Sequence, residues 1–338
     1  MHSDVIHGYR LVTTFSTAGG GQCQWALAER DGVTYFLKRF LTPRFPVPGG
    51  PGSEDTRRRK RAQCVAFEQH HRALMEALQH RCGEGGNLVV TRAFFREGTA
   101  YYKVTDRIEM AHLSPDDIAA LPHAQRLLLF KTITHSVAIL HDANIVHGDL
   151  KPDNVLTKTT AAGALVTKLI DFDDSFFTMR PPAPGAVVGD SVYLAPEIAH
   201  YTSEPDEPVD PRTLTTKADI FSLGLLFATY TLGGAAFARF AEHGAQYAHE
   251  FILSGRPLPL AFDRIAAPFN MLVRHMLSAN ADARPSARDV LAVLKAKPGT
   301  TAAASRLRGT LVVDRPSSDT KASVPAPTLR GTLIRTTR

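Results

Sequence analysis

From residue 9 to residue 41 apolar and polar positions alternate, first in Tyr9-Arg10-Leu11-Val12-Thr13-Thr14-Phe15 and again from Trp25 to Phe40. A period of two predicts strands, and Asp31-Gly32 within the second run predicts a tight hairpin. Residues 42–61 are rich in Pro and Gly and then charged, which predicts a loop insertion. Phe67, His71, Leu74 and Leu78 recur at helical spacing, so a helix is expected over about 61–80. The run Asn87 to Ile108 returns to strand character.

Beyond Ser114 the pattern turns helical. Ser114-Pro115-Asp116-Asp117 offers a capping hydroxyl, a proline at the first helical position and acids in the first turn. Leu129, Ile133, Val137 and Leu140 predict the buried stripe of a long second helix. Helices separated by Pro-rich loops are expected to about residue 297. The expected class is α+β: a small β-rich N-terminal lobe (about 9–108) and a larger helical C-terminal lobe (about 109–297), with a cleft between them.

Composition changes this picture only at the C-terminus. The chain has 338 residues with 44% hydrophobic, an ordinary globular balance. Residues 298–338 carry seven Lys/Arg against Asp314 and Asp319, and so hold five of the six net positive charges. They are otherwise rich in Ala, Thr, Ser and Pro, and are expected to form a disordered basic tail. The near-neutral remainder argues against a nucleic-acid-binding body. Cys23, Cys64 and Cys82 show no paired spacing and the N-terminus no signal pattern, so a reducing cytoplasm is the expectation. Residues 220–238 are apolar enough to suggest a membrane span, but are diluted by Ser, Thr and Gly and lack basic flanks. A helix buried on all sides is expected there, and no membrane association.

The most informative stretch is Ile145-Val146-His147-Gly148-Asp149-Leu150-Lys151-Pro152-Asp153-Asn154, followed by Ile170-Asp171-Phe172-Asp173. Phosphoryl transfer needs a carboxylate to orient the attacking hydroxyl, a cation on the transferred phosphoryl group and oxygen ligands for a divalent metal. This stretch offers all three. With Gly189-Asp190 through Ala195-Pro196-Glu197 and Asp219 through Gly224 downstream, the chain resembles the protein kinase superfamily, Ser/Thr type, over about residues 9–297. In local style, with Trp25, Phe36-Leu37-Lys38 and the 42–61 insertion, it is similar to a group of stand-alone bacterial kinases.

The resemblance implies ATP and Mg²⁺ as cofactors and proteins as substrates. It implies Asp149 as catalytic base, Lys151 on the γ-phosphate, and Asn154 and Asp171 as metal ligands. Lys38 is implied on the α- and β-phosphates with Glu68 as its helix partner, Glu76 being the competitor. Gly19, Gly20 and Gly21 sit at a strand turn where backbone N–H groups would cradle phosphates, although they fit no G-x-G-x-x-G register and would equally serve as a flexible turn. His147 is expected to be a packing residue, and Glu197 with Arg284 a buried ion pair.

Beyond the glycine loop, three further positions depart from the family's pattern. Gly148 stands where many kinases have the Arg that reads a phosphorylated loop, Asp173 where the metal-binding tripeptide ends in Gly, and Asp190 where a Thr is usual. Two other readings compete with protein phosphorylation: a small-molecule phosphotransferase of the aminoglycoside kinase type, in which H-G-D is frequent, and a pseudokinase scaffold. The tail repeats Leu-Arg-Gly-Thr-Leu at 307–311 and 329–333. Its Thr310 and Thr332 are expected to be phosphorylated and to bind a phosphothreonine reader such as a forkhead-associated domain.

Overall fold

In the computed structural model, which describes residues 5–17, 23–79, 86–203 and 208–296, the first half of the chain builds one antiparallel sheet. Its strands are β1 (Val5–Ile6), β2 (Tyr9–Leu11), β3 (Cys23–Arg30), β4 (Val33–Phe40), β5 (Thr91–Glu97) and β6 (Ala100–Asp106), in the order β1-β2-β3-β4-β6-β5. Asp31 and Gly32 turn the β3–β4 hairpin with φ of 53° and 74°, the backbone that a two-residue Asp-Gly turn needs. Alternation along β4 and β6 separates two faces. Leu37, Tyr102 and Val104 pack with Tyr9 and Phe95 on one. Phe40 and Tyr101 pack with Cys64 and Phe94 on the other, under helix α1 (Glu54–Gln79).

Helix α1 begins seven residues before the expected start near 61. Ser53 Oγ accepts the Thr56 N–H at 3.1 Å, Glu54 and Asp55 complement the positive helix end, and Arg57 and Arg61 both reach Glu54. Arg57 and Arg61 therefore lie on the helix surface, held by Glu54 one and two turns away. The loop insertion shortens to its Pro/Gly part.

The second half is helical around one large core. Its helices are α2 (Pro115–Ala120), α3 (His123–Asp142), α4 (Pro196–Thr202), α5 (Lys217–Leu232), α6 (Arg239–Glu242), α7 (Ala248–Leu253), α8 (Phe269–Met276) and α9 (Ala287–Lys295). Ser114 caps α2 through a reciprocal pair with Asp117. Leu129, Ile133, Val137 and Leu140 of α3 are buried, as their spacing predicts. Helix α5 is buried on all sides from Ala218 to Tyr230 but stops six residues short of the expected end at 238. Gly233 stops it: its φ of 84° departs from helical geometry, and Asp116 fills the place of its missing side chain and accepts the Gly234 N–H at 2.9 Å. Among the described residues no helix is long and apolar enough to cross a membrane.

Four short strands lie against this helical lobe and fix its loops. Strand β7 (Ile145–Val146) pairs with β10 (Phe176–Phe177), and β8 (Val155–Thr159) with β9 (Leu165–Leu169). Val146 stands opposite Phe176, and Val155 opposite Leu169. The loops 147–154 and 170–175 between these pairings are thereby held side by side. The two-lobe plan expected from the pattern is the fold observed. Gly19, Gly20, Gly21, Thr310 and Thr332 lie outside the described residues.

Candidate active site

The loop after β7 is built on buried hydrogen bonds. At the start of α5, Asp219, 1% exposed, accepts the His147 N–H at 2.8 Å and the Gly148 N–H at 3.1 Å, and the His141 ring at 3.0 Å. His147 is fully buried: Nε2 donates to Ile170 O at 3.0 Å, Nδ1 accepts the Asp149 N–H at 3.3 Å, and the ring packs edge-on to Phe172. Both ring nitrogens are engaged, so His147 is a packing residue and no general base. Gly148 has φ of 81°, and a Cβ there would sit 3.0 Å from the Asp174 carbonyl oxygen. The close approach of the two loops requires glycine at this position.

Asp149 is the hub of the loop. Its Oδ2 accepts Asn154 Nδ2 and the Lys151 ammonium, both at 2.8 Å, and its Oδ1 accepts the Asp190 N–H at 3.0 Å. Asn154 Nδ2 also donates to the Asp149 carbonyl at 2.7 Å. Burial pulls the Lys151 pKa down, but the hydrogen bond and charge of Asp149, with Asp190 and Asp153, outweigh it and hold the ammonium above its ordinary value.

The loop after β9 turns the next carboxylate into the cleft. Asp171 adopts φ of 62°, which points its side chain toward β4 while Phe172 packs into the core. Lys38 Nζ donates to Asp171 Oδ1 at 2.9 Å and Oδ2 at 3.0 Å, and to Asp173 Oδ2 at 2.5 Å. Burial works against the Lys38 charge, yet Asp173 and Asp171 raise its pKa well above the ordinary lysine value. Beside it Trp25 stacks on Phe36, with ring centroids 5.3 Å apart.

The structure thus brings Asp149, Lys151 and Asn154 together on one loop, and Lys38 and Asp171 together across the cleft. It does not bring Glu68 to Lys38. Glu68 instead accepts the Tyr101 hydroxyl at 2.7 Å and lies 4.0 Å from Arg96; Glu76 does not reach Lys38 either. The three N–H donors of the Lys38 ammonium go to Asp171 and Asp173 instead.

Sequence reasoning passed over Lys103. It lies on β6 directly opposite Lys38, is 6% exposed, and bonds Asp173 Oδ1 with Asp171 Oδ1 at 3.6 Å. The available signal was a lone charge inside the otherwise apolar run Ala100-Tyr101-Tyr102-Lys103-Val104.

The segment that ends at Ala195-Pro196-Glu197 is anchored separately. Arg284, 1% exposed, grips Glu197 through two bonds of 2.6 and 2.9 Å, donates to Ser278 O and Lys217 O, and lies over the Phe221 ring.

Known proteins agree with this geometry. Over 168 residues, 48% of this chain and 33% of the relative, the chain is 32% identical to the ovarian-specific serine/threonine-protein kinase Lok of Drosophila melanogaster. Over 207 residues, 61% of this chain and 37% of the relative, it is 26% identical to calcium-dependent protein kinase 4 of Plasmodium berghei. It spans about a third of the length of these relatives. The family model described as protein kinase domain matches residues 57–293, from helix α1 through the 147–154 and 170–175 loops to helix α9. With paired loops, a lysine–aspartate contact across a two-lobe cleft and that match over most of its length, the chain belongs to the protein kinase family.

Proposed function

We propose that the chain is an ATP-dependent Ser/Thr protein kinase, its domain running from about 9 to 297, which phosphorylates protein hydroxyls including threonines of its own C-terminal segment. The observation that carries this reading is the convergence of Asp149, Lys151 and Asn154 with the Lys38–Asp171 pair on one cleft.

The donor set suits a magnesium nucleotide. Asp171, its side chain 34% exposed, and the Asn154 amide offer hard oxygen ligands, and Lys38 and Lys151 offer cations on either side. When bound, MgATP supplies the transferable phosphoryl group. Asp149, its carboxylate aimed by Asn154 and the Asp190 N–H, would accept the proton of the substrate hydroxyl as that oxygen bonds the phosphorus and the bond from the phosphorus to the departing ADP oxygen breaks. Lys151, already held at Asp149, would offset negative charge on the transferred group. Lys38 would bind the phosphates that stay with the departing ADP.

Lys151 on the catalytic carboxylate and the Glu197 segment locked by Arg284 favour a peptide substrate over a small molecule. The test is incubation of the purified full chain and a generic basic protein with MgATP, with phosphosites mapped by mass spectrometry. Phosphorylated Ser or Thr absent from an Asp149→Asn control is expected. No incorporation into either protein rejects the reading.

A further inference from the structure

We infer that Asp173, held by Lys103, is the positioning residue that fixes Lys38, and that it takes over the task for which the family uses a carboxylate on the helix after the lysine strand. The inference deepens the phosphotransfer reading above and rests on it for the role of Lys38.

Strand register creates the need for such a residue. Lys38 and Lys103 are directly opposite on the antiparallel pair β4–β6. Like charges in that relation repel, and both side chains are withdrawn from water, at 13% and 7% exposure. Such a pair persists only with a carboxylate between its members. Asp173 is that carboxylate: Oδ2 takes Lys38 and Oδ1 takes Lys103. Its own side chain is only 11% exposed.

The other contacts of Lys38 are replaceable. Two of its three bonds go to Asp171, the group proposed to take a divalent cation and so to turn away from the lysine. The bond to Asp173 has no competing duty. Helix α1, in contrast, sends no carboxylate to the cleft. Its Glu68 is spent on Tyr101, and the residue it buries beside Asp173 and the lysines is His71, whose pKa burial lowers to about 3, so that the ring stays neutral against Phe94. The lysine is therefore registered by carboxylates of the 170–175 loop and by the sheet, and α1 takes part only through the His70 ring, 2.8 Å from the Ser175 carbonyl oxygen of that loop. A glycine at 173 would leave the two buried ammonium groups with Asp171 alone between them, which gives the departure from the family's tripeptide a physical cause.

The test compares the full-length wild type with Asp173→Asn, Asp173→Asn/Lys103→Met, Lys103→Met and Glu68→Gln. Each is assayed for phosphoryl transfer with MgATP varied. Each is also treated with an amine-reactive ester, and Lys38 acylation is followed by peptide mass spectrometry. Asp173→Asn is expected to raise KM for ATP at least tenfold and Lys38 acylation at least fivefold. Adding Lys103→Met should partly reverse both changes, because it removes the second cation. Glu68→Gln should change both less than twofold. The inference is overturned if Asp173→Asn leaves Lys38 acylation within twofold of wild type, or if Glu68→Gln matches its effect. Should Asp173→Asn fail to fold, Asp173→Asn/Lys103→Met decides: Lys38 acylation more than twofold above wild type is expected, and acylation within twofold of wild type overturns the inference. Acylation needs no turnover, so a wild type that transfers no phosphate rejects the kinase reading while the ion-pair assignment is still judged.

Discussion

Asp149 and Asp190 meet through backbone: the Asp190 N–H donates to Asp149 Oδ1 at 3.0 Å, while the Asp190 carboxylate accepts the Val192 N–H and stands 4.0 Å from Lys151. The contact that orients Asp149 therefore does not depend on the side chain at 190. Asp190→Ala is expected to retain phosphoryl transfer within about tenfold, since it removes one charge near Lys151 and the acceptor of the Val192 N–H but leaves the bond to Asp149. A loss as large as that of Asp149→Asn, measured as kcat on the same substrate, would assign the carboxylate a direct role.

Asp149→Asn and Asp171→Ala are each expected to lower kcat at least about a hundredfold, because each deletes one preorganised charge from the reacting centre. Both side chains lie outside the helical core, so the melting temperature should stay within a few degrees of wild type. Near-normal activity in either variant, with unchanged melting, removes that residue from the site.

Arg284 and Glu197 form a bidentate pair with the guanidinium fully covered. Arg284→Met strands the Glu197 carboxylate and the Ser278 and Lys217 carbonyls, and should destabilise the fold by about 3–5 kcal/mol. Urea denaturation is the measure. A change below about 1 kcal/mol would mean that the pair contributes little to holding the segment.

Asp174 gives a pH-dependent prediction. Burial first, then the charges of Asp173, Asp171 and Asp149, raise its pKa from the ordinary value to about 6. Between about pH 4 and 6 the folded chain binds more protons at this site than the unfolded one, so its contribution to stability falls as pH rises through that window. Asp174→Asn should therefore gain on the order of 2 kcal/mol at pH 7 without divalent cations, and nothing at pH 4. Equal gains at both pH values, by denaturant titration, would rule out the carboxylate as the source.

Prolonged incubation with MgATP should place phosphate on Thr310 and Thr332, each two residues after an Arg and followed by Leu. Thr310→Ala with Thr332→Ala should then abolish capture by an isolated forkhead-associated domain. Unmodified threonines on an otherwise active chain would leave that segment as a basic linker.

What could be read in the sequence was local. The Asp31-Gly32 hairpin, the Ser114 cap, the stripe of α3 and the 145–173 run declare themselves over short stretches of chain. What escaped was set by cross-chain register or by competition for donors. Nothing near Lys38 announces that Lys103 lies opposite it, and nothing near Glu68 announces that Tyr101 and Asp173 divide the partners between them. Element ends were missed for similar reasons: α5 ends where Asp116, far upstream, closes on Gly233 and Gly234, and α1 starts early because Ser53 caps it and Glu54 balances Arg57 and Arg61.

The two-lysine grip on Asp173 has a bearing on chemical inhibition. A small molecule that gains room by driving Phe172 from its place against His147 must drag the adjacent Asp173 with it, and so separate a buried carboxylate from two buried ammonium groups. Compounds that depend on such a flip should bind this chain poorly. Those that fill the cleft with Phe172 left in place meet no such barrier, and selectivity against the chain can be sought in that difference.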